Sequence, residues 1–419
     1  MQKVLKTKGH FFTFGVANDP DPPYLLIASY GNIVTAIPEE QRTDPQKNWR
    51  GDLQLLVDYD LIYARWWHIL DGPEWPWLKL GTKWDLTQRN LTYISQASDV
   101  IEATRDAGKI LEWHAFDRGC GGAQDSYKNY PWYPKNNPHG LDLPLDGTGT
   151  PAFYEPSQPL RHLQEQYVTW LMELINIHGV PDPRGPMFGV SSHVVLEIEN
   201  EHRDNPSGSL EWVKRWSEFI KGRNPAQLIS YSTLEPDWER AWRFTDQTNI
   251  HMGRECRDDP ECIRRLLQKC WGFAEKPCVV DEWANGEGNR DRLLRTTWVI
   301  VTAGGHSKIE DARPSSNPLS VFDQAARAAF REAALGASTS VNHFVKESGW
   351  KFWEAAPKGY CMESPRESVC QSYGREIPIR PGDLRFYDPR TGAFTLWEAH
   401  EGGVKAPPDG QDWVVQARH

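Results

Sequence analysis

Along the first 340 residues, apolar runs of four to eight residues alternate with longer stretches whose apolar positions recur at helical spacing. The short runs read as strands at 11–16, 24–30, 63–70, 109–116, 193–198, 228–233, 249–252, 278–281 and 305–309. Between them, helices are expected at 52–61, 90–107, 159–178, 209–221, 261–273, 290–303 and 320–335. In the second of these, Leu91, Ile94, Ala97, Val100, Ile101 and Thr104 fall on one face, and Gly108 supplies the stop. Residues 117–155 break the rhythm with a long insertion rich in Gly, Pro, Asn and aromatics. A loop of that length in a compact unit is more often functional than incidental.

From 24–30 onward, eight strand–helix units in alternation predict a parallel sheet covered by helices, and the count fits a closed ring better than an open sheet. Neither GxGxxG after a strand nor GxxxxGK[ST] occurs, so no nucleotide cofactor is expected. After residue 340 the pattern changes. Residues 385–397 read as a hairpin turning at Pro389-Arg390-Thr391-Gly392, and 412–416 as a closing strand. The expected fold class is therefore α/β: a (β/α)8 TIM barrel over 1–340, then a small, sandwich-like all-β domain over 341–419.

Charge narrows the partners. Acidic residues outnumber basic ones by 57 to 47 with no concentrated Lys/Arg stripe, which argues against a nucleic-acid backbone as the main ligand. No run approaches the roughly 18 apolar residues of a membrane-spanning helix. Tryptophan is in excess at 20, and several indoles sit beside Pro and charged residues, as in Pro73-Glu74-Trp75-Pro76-Trp77 and Tyr130-Pro131-Trp132-Tyr133-Pro134. A flat apolar face with a polar N–H suits a sugar, although half of these rings belong in a core by default. Seven cysteines cannot all pair; Cys256 with Cys262 and Cys361 with Cys370 could close two short loops, and the spacing fits no zinc finger. The first residues lack the apolar run of a secretory signal. A secreted or periplasmic protein whose signal has been replaced is the favoured expectation.

Chemistry in such an architecture belongs at the C-terminal ends of the strands. The fourth strand runs from Val194-Val195-Leu196 into Glu197-Ile198-Glu199-Asn200-Glu201, and the seventh runs Val279-Val280-Asp281-Glu282-Trp283. One acidic strand end usually means solvation or a nearby Arg. Two carboxyls converging across one opening supply what glycosidic double displacement needs, a protonated acid and an ionised nucleophile about 5–5.5 Å apart.

On these residues the chain resembles the clan A glycoside hydrolases, retaining enzymes with a TIM barrel. The resemblance implies Glu201, after Asn200, as general acid/base and Glu282 as nucleophile. It also implies that Asn200 contacts the sugar 2-hydroxyl, Arg65 keeps the nucleophile ionised, and His251 lines the sugar site. Tyr387-Asp388-Pro389-Arg390-Thr391-Gly392, with 407–415, resembles the β module of apiosidase-like members of that clan. The chain departs from the clan pattern at Gly253, where a Tyr is frequent, and at 305–310, where a Trp is frequent. Glu199 shares a strand face with Glu201 and competes for the acid role unless the strand breaks at Asn200. Trp66, Trp113, His114 and Trp283 are expected as further substrate contacts, each balanced against a packed role. Lys308 reads as a contact for an acidic sugar or as a solvated surface residue.

Two other readings remain. A metal-dependent barrel hydrolase or isomerase would use His68, His114, His251 and His306 with Glu112 or Glu282, but no HxH pair ends the first strand. A non-catalytic carbohydrate-binding barrel would have no need for a matched acid and nucleophile. The favoured expectation is a carbohydrate-cleaving hydrolase without metal or cofactor.

Overall fold

The computed structural model describes residues 2–30, 32–34, 49–67, 75–117, 128, 130–143, 151–200, 209–233, 242–252, 256, 259–273, 275–281, 290–309, 321–358, 361–364, 366–371, 383–396 and 413–418. Eight strand positions follow one another along the chain. They are β1 in two segments (Ala28–Tyr30 and Asn32–Val34), β2 (Tyr63–Trp67), β3 (Ile110–Asp117), β4 (Val194–Asn200), β5 in two segments (Leu228–Ser230 and Ser232–Thr233), β6 (Thr248–His251), β7 (Cys278–Asp281) and β8 (His306–Ile309). Each pairs in parallel with the next in sequence. β8 then pairs with the first segment of β1, Ser307 opposite Ala28 and Ile309 opposite Tyr30; the parallel strands fall into two five-stranded sheets, one ending on the second segment of β1 and the first of β5, the other on the first segment of β1 and the second of β5.

The helices are α1 (Trp49–Asp58), α2 (Leu91–Asp106), α3 (Gln158–Ile177), α4 (Ser209–Arg223), α5 (Pro260–Phe273), α6 (Arg290–Thr302) and α7 (Val321–Ser348). Asn90 caps α2, its side-chain oxygen accepting from the backbone of Thr92 and Tyr93. Strand sequences such as Val-Val-Leu-Glu-Ile-Glu-Asn are buried at every position because both faces are covered. Alternation sorts them. Ala64, Leu111, Val194, Leu196, Ile229, Val280 and Ile309 join the large outer core beneath the helices, whereas Tyr63, Ile110, Val195, Leu228 and Val279 point inward.

The run at 11–16 joins neither parallel sheet. It pairs antiparallel with Lys3–Lys8, and Tyr24–Leu25 adds a third strand. Leu5, Phe12 and Phe14 pack on the inward Val195, Leu228 and Val279 and plug the end where the strands begin.

Helix α7 continues to Ser348, through the expected boundary at 340/341. It and α6 carry the C-terminal strands on one shared core: Trp298 donates to Ser340 Oγ at 3.1 Å, Tyr387 Oη donates to the Ser340 carbonyl at 2.8 Å, and Phe344 lies against both aromatic rings. Those strands are β9 (Ala356–Lys358), β10 (Cys361–Glu363), β11 (Glu367–Gln371), β12 (Asp383–Asp388), β13 (Ala393–Leu396) and β14 (Val414–Arg418). Among the described residues they form one antiparallel sheet in the order β9-β10-β11-β14-β12-β13, lying on helices, where a sandwich-like domain was expected. The hairpin at β12–β13 turns through Pro389–Gly392, with Gly392 at φ +75°.

Both short-loop disulfides form, Cys256–Cys262 and Cys361–Cys370. A third, Cys270–Cys278, ties the end of α5 to the start of β7. Its loop holds ordinary helix and turn residues, so nothing in the spacing singled it out.

Candidate active site

The middle layer of the interior is polar. Arg65 of β2 grips Glu197 of β4, with Nε to Oε2 at 2.9 Å and Nη2 to Oε1 at 2.7 Å. Lys308 of β8 donates to Glu112 Oε2 of β3 at 2.6 Å and to Asp281 Oδ2 of β7 at 3.2 Å. Glu112 Oε1 accepts from Ser230, Gln247 and Asn249 at 2.7, 3.1 and 2.6 Å. Three carboxyls thus face two cations, all of them out of solvent. A fully ionised set would leave one uncompensated charge in a dry interior, which is costly.

The carboxyls resolve this unequally. Burial pushes Glu197 up to about 8, with Arg65 opposing and Glu112 and Asp281 adding to the rise. Burial also disfavours the anions of Glu112 and Asp281, but Lys308 and Arg65 outweigh it, joined at Asp281 by His251, and hold both below the ordinary carboxylate range. Burial works against the Lys308 charge as well, yet Glu112 and Asp281 keep it above the usual lysine value. The groups titrate together, and the spare proton belongs on Glu197.

Nearer the strand ends, Asn200 faces inward. Its Oδ1 accepts from Arg65 Nη2 at 2.5 Å, and its Nδ2 donates to Asp117 Oδ2 at 2.9 Å. Asp117 also accepts from Tyr130 Oη at 3.3 Å. Glu197 and Asn200 are three residues apart, so strict alternation would put them on opposite faces. The phase slips between them. Glu199 turns outward and accepts from Tyr154 of the short helix Pro151–Tyr154 at 2.9 Å. β3 slips at the same level, Phe116 packing outward on Trp212 and Trp216 while Asp117 points in. The strand changes phase before Asn200, so Glu199 and Asn200 lie on opposite faces.

Across the interior, His251 of β6 sets Nε2 at 3.3 Å from Asp281 Oδ1. Arg65 Nη1 lies 3.9 Å from Asp281 Oδ2. One guanidinium therefore reaches both Asn200 and Asp281, the residues that immediately precede Glu201 and Glu282 in the sequence.

Solved structures provide a comparison. A glycoside hydrolase family 5 protein from Bacteroides vulgatus ATCC 8482 superposes with a TM-score of 0.62 over 100% of this chain and 93% of its own, at 11% identity. The two chains share a fold. A glycoside hydrolase family 5 mannosidase from Rhizomucor miehei, solved with mannosyl-fructose, follows at a TM-score of 0.50, covering 80% of this chain and 98% of its own at 13% identity. No family model matches the chain, and no curated protein matches it.

The expected site residues divide into three groups. Arg65, Asn200 and His251 meet in the interior through the contacts above. His114 is also inside, paired in register with Glu197 and fully buried. Glu201, Glu282 and Trp283 lie outside the described residues, as does His68.

Trp66 and Trp113 do not take the expected platform position. Both are 0% exposed; Trp66 stacks over Tyr93 of α2 and lies 4.6 Å from Trp113. Alternation is the reason, since Arg65 and Glu112 take the inward places and their neighbours must face the helices. The loop tryptophans behave likewise, Trp75 against Tyr130 and Trp77 against Trp132 and Tyr167. They brace the wall of the molecule. Lys308 is neither solvated nor open to an acidic sugar, being 1% exposed and held by two carboxylates.

Of the residues named for a metal site, His68 and Glu282 lie outside the described residues. His306 is at the opposite end from His251, accepting from the Ile27 N–H at 3.0 Å and bonding the His10 carbonyl at 3.1 Å. Among the described residues no group of three or more His, Cys, Asp or Glu could hold a metal ion. Sequence reading missed Glu197, Asp281 and Asp117 as site-building groups. The available signal was a charged residue within an apolar strand whose two faces are both covered.

Proposed function

We propose that the chain is a retaining β-glycoside hydrolase of the clan A type, built on a closed (β/α)8 barrel, with Glu201 as general acid/base and Glu282 as nucleophile. Glu282 attacks the anomeric carbon while Glu201 protonates the leaving oxygen; water, activated by the same Glu201, then hydrolyses the glycosyl–enzyme. The carrying observation is Arg65, whose guanidinium contacts both Asn200 and Asp281 and so ties together the two strand ends that lead into the proposed pair. Asn200 and His251 serve as sugar contacts in this reading, and Trp283 as a candidate ring surface. The fold shared with a family 5 glycoside hydrolase supports the same class. Three disulfides fit a secreted or periplasmic enzyme acting on plant or microbial glycans.

The test uses 4-nitrophenyl β-glycosides, with β-mannosides and β-apiosides in the panel. Glu282→Ala and Glu201→Ala should each lower turnover by about 10³-fold or more while the protein stays folded. Added azide should rescue the first as the α-glycosyl azide and the second as the β-glycosyl azide. Undiminished turnover in either variant would refute the assignment.

A further inference from the structure

We propose that two tyrosines of the 117–155 stretch clamp the end of β4 from opposite faces and so set the side chain of Asn200. Tyr130 acts from inside through Asp117, and Tyr154 from outside through Glu199. This strand end needs holding. Ile198 and Glu199 both face the helices, as do Ala115 and Phe116 on β3, so the two strands leave the regular pleat at one level. The register there puts Glu199 opposite Phe116 and Asn200 opposite Asp117. Glu199, Asn200 and Asp117 are all out of solvent, where a polar group must find a partner. Tyr154 Oη donates to Glu199 Oε1 at 2.9 Å, with its ring against Trp212. Tyr130 Oη donates to Asp117 Oδ1 at 3.3 Å, and the other oxygen of Asp117 receives Asn200 Nδ2 at 2.9 Å. Arg65 and Ser232 donate to Asn200 Oδ1 at 2.5 and 3.3 Å, so the amide is fixed at both ends.

Tyr130 is itself held in place. Asn136 Nδ2 donates to the carbonyls of Lys128 and Tyr130 at 2.7 and 2.8 Å, and Asn137 Nδ2 to those of Pro131 and Tyr133 at 2.9 and 3.0 Å. The Tyr130 ring lies 5.1 Å from Trp75. His139 Nε2 receives the Leu86 N–H at 2.9 Å, which joins this loop to the hairpin of 77–89. Both tyrosines are buried, so they act on the site from within and not as a surface for the sugar ring. An amide held by preformed partners needs no rearrangement when substrate arrives. The kinetic arm of this inference rests on the glycosidase reading; the spectroscopic arm does not.

The experiment compares wild type, Tyr130→Phe and Tyr154→Phe, each made as the full chain. Either change removes one hydroxyl and keeps the ring, so the packing that folds the protein is retained. The chains carry 15N-labelled asparagine, and the side-chain amide of Asn200 is assigned by the signal lost in Asn200→Asp. Both variants should move that signal, although the Tyr154 hydroxyl acts on the opposite face of the strand. On a 4-nitrophenyl β-glycoside that wild type hydrolyses, each should lower kcat/KM roughly 3–10-fold. The loss should fall on kcat with KM near the wild-type value, because a hydrogen bond to the sugar 2-hydroxyl strengthens in the transition state. An Asn200 signal that stays in place in either variant would reduce that tyrosine to packing and overturn the clamp. A moved signal with wild-type kinetics would overturn it as well, since the hold would then do nothing for the reaction. If the azide test fails, the Asn200 signals still decide whether the two hydroxyls set the amide.

Discussion

Asn200 has a primary amide whose two ends could be exchanged by a simple flip, and its neighbours forbid it. Arg65 can only donate, so it faces Oδ1; Asp117 accepts, so it faces Nδ2. Asp117 is held in turn by Tyr130, which connects the loop of 130–143 to the centre of the molecule. Replacing Asp117 by Asn removes the charge that receives the Asn200 amide at little cost in volume. A hydrogen bond of this kind contributes about 0.5–1.5 kcal/mol to stability, so the melting temperature should fall by a few degrees, and kcat/KM should fall about tenfold as the Asn200 amide loses its hold. Steady-state kinetics on the glycoside used for wild type checks this, and a folded Asp117→Asn enzyme with unaltered kcat/KM would remove Asp117 from the site.

At the scale of strands, what the sequence made legible follows from what repeats. Seven of the eight parallel strand positions fall where strands were expected, but the run at 24–30 divides: Tyr24–Leu25 joins the antiparallel strands, Ala28–Tyr30 joins the parallel set, and Asn32–Val34 was not foreseen. Asn200 stood out because polarity begins abruptly after Ile198. The face of each residue was harder to read. A strand of four or five residues gives too few alternations to set a phase, and the slip before Asn200 reverses the naive assignment for Glu199 and Asn200 together. Trp66 illustrates the consequence. Its place beside Arg65 suggested a ligand platform, whereas the fold uses it to seat α2 through Tyr93. The packed role predicts a specific result. Trp66→Ala should cost about 3–5 kcal/mol of stability, as large-to-small core changes do, and denaturant unfolding measures it. At temperatures where the variant remains folded, its KM should stay near that of wild type. A raised KM without lost stability would return Trp66 to the sugar site.

On the scale of the whole molecule, buried titrating groups at the strand starts and in the middle layer set opposing pH limits. His306 accepts a backbone N–H on Nδ1, so it can only be neutral in place, and burial lowers it to about 4; burial takes His193 to about 3. In the unfolded chain both regain the ordinary value near 6.5. Below that value the unfolded state binds more protons, so stability falls as pH drops from about 6.5 toward about 4. Glu197 acts in the other direction. Its folded value of about 8 exceeds the 4.5 of a free glutamate, so the folded state binds the extra proton, and this contribution is lost as pH rises through 8. Between about 4.5 and 6.5 the histidines outweigh it, His10 and His178 adding to the pair because burial lowers them as well; above that range the Glu197 contribution runs the other way. Thermal stability should therefore peak between about pH 6.5 and 8 and decline on both sides. Calorimetry from pH 4 to 9 would show the maximum. Glu197→Gln should flatten the alkaline side and leave the acid side standing, because the proton it mimics never leaves. A wild-type curve that rises steadily from pH 6.5 to 8.5 would mean that Arg65 keeps Glu197 ionised and that the interior carries its third negative charge uncompensated.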